Sequence, residues 1–155
     1  MTPVHDELIR EFREFARTAK TAASLMEHIS QRLHEKMTTY NWVGFYLVDP
    51  KDPNMLVVGA YVGSFSPNTN IPLSTGLCGA AATTGRTVVV QDVAADARYL
   101  PGSSIVKSEV VVPIFVAGKL AAELDLESYF ANTFTKQEQE FAEQVSAIVA
   151  EYLGK

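Results

Sequence analysis

Four carboxylates and one thiol are the residues of this chain best placed to do chemistry. Glu123, Asp125 and Glu127 stand at i, i+2 and i+4 in the run LAAELDLES at 120–128. Alternate side chains of a strand leave the same face, so the three acids share a face at roughly 7 Å between neighbours. Two readings follow. An outer sheet face turned to solvent is polar in antiparallel proteins. Acids lining a pocket would instead repel one another, which raises their pKa values, and the pocket would favour a cationic or hydrogen-bond-donating ligand. Glu109, in SEVVVPI at 108–114, is the fourth acid. A strict two-residue turn at Ala117-Gly118 pairs Val110 with Asp125 and leaves Glu109 on the opposite face. One bulge, near Pro113, would bring it round. The sequence leaves that register open.

The thiol is Cys78, the one cysteine of the chain. It falls near the start of a short helix, where the dipole and free N–H groups favour a thiolate. Its neighbours Leu77, Gly79, Ala80, Ala81 and Ala82 suit close packing around a small buried thiol instead. Trp42 and Tyr46 flank Gly44 in YNWVGFYLV at 40–48. They share a strand face, either as a core aromatic pair or as the walls of a slot whose indole N–H and phenol O–H are polar handles. His5, His28 and His34 lack the i, i+4 spacing of a helical metal pair and read as surface or packing residues. No metal and no cofactor are expected.

These groups need elements to hold them. Residues 110–116 form a β-favouring run, Ala117-Gly118 supplies a hairpin turn, and Leu120, Ala122, Leu124 and Leu126 alternate with the acids on the return strand. Upstream, Thr2 and Pro3 read as an N-cap and first-turn proline of one long helix over about 3–37. Its apolar seam is Leu8, Phe12, Phe15, Ala19, Ala22, Met26, Ile29 and Leu33, spaced alternately by four and three. The seam suits the parent sheet, another helix or a second copy of the chain. Strands follow at 40–48 and 55–62, joined by the turn-forming 49–54. A loop at 63–70, a short edge strand at 71–73, a small-residue helix at 77–84 ended by Gly85, and a strand at 87–91 come next. An irregular connection over 92–107 carries Arg98, Tyr99 and the run Pro101-Gly102-Ser103-Ser104, and long loops of this kind often touch ligands. Thr135 to Glu138 (TKQE) opens a closing helix over about 135–153 as a capping box. Its stripe is Phe141, Val145, Ile148 and Tyr152, and Gly154 suits its C-terminal cap. The order predicts an α+β fold: an antiparallel sheet over about 40–129, terminal helices on one face, and a loop-covered pocket on the other.

The composition bounds the function. At 155 residues, 47% apolar and 20% charged, the chain is expected to be one domain with a sizeable core. A net charge of −5 argues against nucleic acid, and no apolar run is long enough to span a membrane. The opening residues contain acids and no apolar signal segment, so a cytoplasmic location is the default expectation.

Six blocks, NWVGFYL at 41–47, IPLSTGLCG at 71–79, QDV at 91–93, SEVVVPI at 108–114, LDLES at 124–128 and FTKQEQEF at 134–141, resemble GAF domains. They are most similar to the branch containing free methionine-(R)-sulfoxide reductases. The resemblance implies that Trp42 and Tyr46 are aromatic walls and that Glu109, Asp125 and Glu127 are the acids of a cage for the substrate's ammonium and sulfoxide groups. Glu127 is a departure, since many members have Asp there. In that family a cysteine attacks the sulfoxide sulfur, a second cysteine resolves the sulfenic acid, and thioredoxin resets the pair. Counted along this chain, the attacking position is Gly102 and the resolving position is Asn68. Only the third family cysteine is kept, as Cys78, and one cysteine cannot form an internal disulfide. Three functions follow from this. The first is a stand-alone module binding a small amino-acid-like molecule. The second is a reductase using Cys78 with thioredoxin or another external thiol. The third is a dimerisation and signalling scaffold. A homodimer fits all three.

Overall fold

The structure, a computed structural model, describes residues 1–99 and 105–155. The run Pro101-Gly102-Ser103-Ser104, with the position of the family's attacking cysteine, lies outside the described residues. Six strands, β1 (Trp42–Asp49), β2 (Asp52–Gly63), β3 (Asn70–Pro72), β4 (Val88–Val90), β5 (Ser108–Val116) and β6 (Lys119–Ser128), form one sheet in the order β3-β2-β1-β6-β5-β4. Every pairing among the described residues is antiparallel. Helices α1 (Pro3–Thr18), α2 (Ala22–Lys36) and α4 (Lys136–Leu153) share one apolar core with one face of the sheet, and α3 (Gly76–Thr84) packs on the other. The expected α+β architecture is the one found.

Strand alternation makes the two faces different. Val43, Phe45, Val110, Val112, Leu124 and Leu126 pack under the helices, while Trp42, Tyr46 and Val111 point to the α3 side. A strand apolar on both faces reads as a continuous run, which is why 110–116 shows no alternation. Each fully buried Leu or Phe contributes about 1.5–3 kcal/mol, and the helix-side face holds most of them.

The single long N-terminal helix is two helices. α1 stops at Ala19, whose backbone is extended, and Thr21 caps α2 by accepting from the Ser24 N–H at 3.1 Å. Ser and Thr favour caps because their hydroxyls replace the missing backbone acceptor, and Thr21 acts on that preference. The Tyr152 hydroxyl donates to the freed Ala19 carbonyl at 2.8 Å. α1 then lies antiparallel beside α2: Phe15 stacks on His28 at 4.0 Å, and Glu11 accepts from Arg32 at 2.8 and 3.0 Å. The apolar seam is spent inside the chain, since Leu8, Phe12, Met26, Ile29 and Leu33 are buried against the sheet and α4.

Two cap readings change in detail. Thr135 caps α4, accepting from the Glu138 N–H, but the Glu138 side chain does not return to its cap. It accepts from Tyr40 Oη at 2.7 Å and sits 2.9 Å from His5 Nε2. The reciprocal box stands instead at α1, where His5 Nδ1 accepts from the Thr2 N–H and Thr2 Oγ1 accepts from the His5 N–H. The turn expected over 49–54 is confined to two residues, because Asp49 already pairs with Asp52. Pro53 is tolerated in β2 because β3 begins its pairing only at Met55.

Candidate functional site

The hairpin of β5 and β6 decides where the acids go. Ala117 and Gly118 both have positive φ, 51° and 80°, the geometry of a two-residue turn that matches strand twist. Val116 pairs with Lys119 and Phe115 with Leu120, but Ile114 pairs with Ala122. Ala121 is therefore an extra residue, a bulge opposite the Ile114–Phe115 step and next to Pro113. Beyond it Val111 faces Asp125 and Glu109 faces Glu127. Glu109 thus joins the face of Asp125 and Glu127. The same bulge turns Leu120 to the α3 side, away from Ala122, Leu124 and Leu126, so the alternation read across 120–126 breaks at its first residue.

That face is not solvent. Glu109, Glu123, Asp125 and Glu127 are 5%, 0%, 2% and 6% exposed. Asp125 stands within hydrogen-bond range of both Glu109 and Glu127. Neither oxygen of Glu123 nor Oδ1 of Asp125 has a well-aligned hydrogen-bond partner, although the Cys78 thiol lies beside Glu123 and works against the effect of burial on it. Burial, which disfavours the charged form, is the main force on all four, with neighbouring acids adding to it for Glu109, Asp125 and Glu127. It pushes Glu123 up to about 9. The other three are also held well above the ordinary carboxylate range. Mutual repulsion, the cause expected from the pattern, is the second effect and not the first.

Tyr46, Cys78, Glu109, Asp125 and Glu127 line one cavity of about 20 Å³, closed by Phe65, Pro67 and Asn68 of the loop after β2 and by residues at the start of α3. None of the described residues lining it is basic. Trp42 stands behind this wall. Its ring lies 6.2 Å from that of Tyr46 and between those of Tyr61 and Phe65, at 5.6 and 6.0 Å. The slot read between Trp42 and Tyr46 is filled by the indole itself. A Cβ on Gly44 would come 2.5 Å from Trp42 Cη2, and one on Gly63 would also strike the ring. Trp42 Nε1 is buried without a partner.

A family model for the GAF domain matches residues 19–153 of this chain. The chain is a GAF domain. Among proteins similar to it is the free methionine-R-sulfoxide reductase of Escherichia coli K12, 26% identical over 99% of this chain and 90% of that one. A free methionine-R-sulfoxide reductase from Neisseria meningitidis, solved with its substrate, superposes with a TM-score of 0.90 at 29% identity, covering 96% of this chain and 87% of that one. A type II free methionine-R-sulfoxide reductase from Thermoplasma acidophilum superposes at 0.78 with 30% identity over 92% and 94%.

In this GAF domain the thiol belongs to the acid cavity. Cys78 is 5% exposed, and its Sγ lies within 4.8 Å of a carboxylate oxygen of Glu109 and of Asp125. Burial pushes the thiol well above its ordinary range, and the neighbouring acids add to this. The thiolate-favouring effect of the helix start is outweighed. Burial also pushes the Tyr46 phenol up. The three histidines stay elsewhere: His5 stacks on Phe141, His28 packs between α1 and α2, and His34 is half-buried on α2.

Some of the lining carried little signal in the sequence. Phe65 and Pro67 sit in a stretch of turn-formers, and only Asn68 was marked, as the family's resolving position. Glu123 was seen on the acid face, but nothing in its type told that both oxygens would be orphaned. Arg98, in the long 92–107 connection, is exposed and held by Asp96 at 2.7 Å, and it does not line the cavity.

Proposed function

We propose that this GAF domain binds a small amino-acid-like molecule in the cavity between the sheet and α3. The observation that carries the reading is the set of buried carboxyls, Glu109, Asp125 and Glu127, beside Tyr46 with no basic residue among the described lining. Burying several acids without partners is unfavourable, and a ligand ammonium supplies the missing charge and donors. The similar proteins named as free methionine-R-sulfoxide reductases support free methionine-R-sulfoxide as the first ligand to try. A cavity of about 20 Å³ has room for about one water, so entry requires the loop carrying Phe65, Pro67 and Asn68 to move. Thermal unfolding with and without free methionine-R-sulfoxide tests the reading, with methionine and a dipeptide sulfoxide as controls. At about 100 times the dissociation constant a ligand stabilises by roughly 2.7 kcal/mol, a shift of roughly 5–8 °C for a domain of this size. A selective shift supports the reading; no shift with any of the three removes it.

A second reading, a reductase acting through Cys78, is favoured by one observation: the thiol lines the same cavity as the acids. The Cys78 sulfur would attack the sulfoxide sulfur and lose its proton. A protonated carboxyl would protonate the sulfoxide oxygen, which passes to Cys78 as a sulfenic acid while the sulfide leaves. Two external thiols would then return the sulfenic acid to thiol, giving a disulfide and water. Cys78→Ser would abolish thiol-coupled turnover and leave the thermal shift in place. Turnover at an unchanged rate would sink this reading.

A further inference from the structure

We propose that Cys78, Glu109 and Asp125 form a binding site for a borderline-soft divalent cation, zinc being the ion that fits. One donor atom from each lies within 4.8 Å of the other two, and all three residues are buried. Proximity alone would not make a site. Asp125 adds the second observation: it is 2% exposed, lines the cavity, and its Oδ1 has no hydrogen-bond partner. A buried carboxylate oxygen without a partner, on a side chain that lines a cavity, calls for an explanation, and a cation held with Glu109 and Cys78 supplies one.

The dimensions suit a metal. A point equidistant from three atoms 4.8 Å apart is roughly 2.8 Å from each, against about 2.3 Å for Zn–S and about 2.0–2.2 Å for Zn–O. The sulfur need close by about 0.5 Å and the two oxygens by about 0.6–0.8 Å, within the torsional freedom of a Glu and an Asp. Three protein ligands leave a fourth position, and the cavity of about 20 Å³ beside them has room for about one water. Three ligands and a water is the arrangement of an open zinc site. A thiolate in the set disfavours magnesium and calcium, which take oxygen.

The scaffold holds the donors firmly. Glu109 and Asp125 lie on paired central strands. Cys78 sits in the first turn of α3, and that turn is pinned by Gly79: a Cβ there would lie 2.8 Å from the Leu73 carbonyl oxygen. The histidines that argued against a metal in the sequence are no part of this cluster. The site overlaps the cavity assigned above to an amino-acid-like ligand but does not rest on that assignment.

The test titrates zinc alone into chelator-stripped full-length protein by calorimetry, with cobalt(II) as a spectroscopic probe. We expect one equivalent per chain and a thiolate-to-cobalt charge-transfer band. Cys78→Ser should remove the band, and both Cys78→Ser and Asp125→Asn should weaken zinc at least tenfold, while His28→Gln changes nothing. Circular dichroism checks that the variants are folded, and the wild-type cobalt spectrum decides the matter if they are not. No saturable zinc binding by the wild type overturns the proposal, as does cobalt binding without the thiolate band. A methionine-R-sulfoxide shift measured with chelator present is read separately, so either reading can fail alone.

Discussion

The two faces of the sheet bury similar strands to opposite ends. On the helix side the acid has partners: Glu138 takes Tyr40 Oη and lies against His5, which stacks on Phe141, while the orphaned hydroxyls there are the neutral ones of Ser30 and Ser146. Gln91 Nε2 donates to the Phe134 carbonyl, and Tyr152 closes the end of α1. On the α3 side four carboxyls and a thiol are buried, with Glu123, Asp125 and Trp42 leaving orphaned atoms. Natural cores satisfy most buried polar groups; both sides leave some atoms unpaired, but the orphaned carboxylate oxygens are on the α3 side. The contrast separates the packing that holds the domain together from the buried acids that the proposed ligand would meet.

The largest expected effect tests the stable half. Phe141→Ala removes a fully buried ring from the helix-side core and should cost about 3–5 kcal/mol in urea unfolding. Glu123→Gln, on the other half, should cost far less than this or stabilise, because it removes a buried acid with no partner. If the two substitutions destabilise alike, the contrast fails.

The next effect is in pH. Glu123 has a folded pKa of about 9, raised by burial, against about 4.3 unfolded. Between those values the folded state holds a proton that the unfolded state has released. Its contribution to stability is therefore fully present below the unfolded pKa and is lost as pH rises toward about 9. The slope is about 1.4 kcal/mol per pH unit for one such acid. Unfolding measured from pH 5 to 9 should show stability falling, and Glu123→Gln should flatten the slope by about that amount. A rising or flat wild-type profile would place the acids in water.

Gly44→Ala sharpens the account of Trp42. Its Cβ would meet Trp42 Cη2 and Tyr61 Cβ, and overpacking of this kind costs about 1–3 kcal/mol. Trp42 is the chain's one tryptophan, so its fluorescence reports the displacement directly. An unshifted emission with unchanged stability would mean that the indole can leave Gly44 freely. The smallest effect is at a helix end: Thr135→Ala should cost about 1 kcal/mol through the lost α4 cap, read as a few degrees in Tm, with no change at the cavity.

Much of this was legible beforehand. The order of elements, the two positive-φ residues of the β5–β6 turn, the caps at Thr2 and Thr135, and the acids sharing a strand face all follow from local patterns. The α1–α2 break was missed because the apolar spacing runs through it unchanged from Phe15 to Ala22. The Tyr152 hydroxyl that takes up the Ala19 carbonyl at the break comes from 133 residues away along the chain, beyond the reach of any local pattern. The choice between a packed aromatic pair and a slot at Trp42 stays open in the sequence for a like reason. Gly44 announces a missing side chain, but the group that fills the space is a matter of how the indole, Tyr61 and Phe65 stack across strands.

The amino-acid sequence by itself determined the element types, the family blocks and the presence of a periodic acid row, because these depend on residues a few positions apart. Whether that row met water or a core was decided only by tertiary structure. One extra residue, Ala121, sets the register that brings Glu109 opposite Glu127. The packing of α3 and the loop after β2 then takes all four acids out of water. Alternation fixes which residues share a face, but only the packing of distant segments fixes what that face meets.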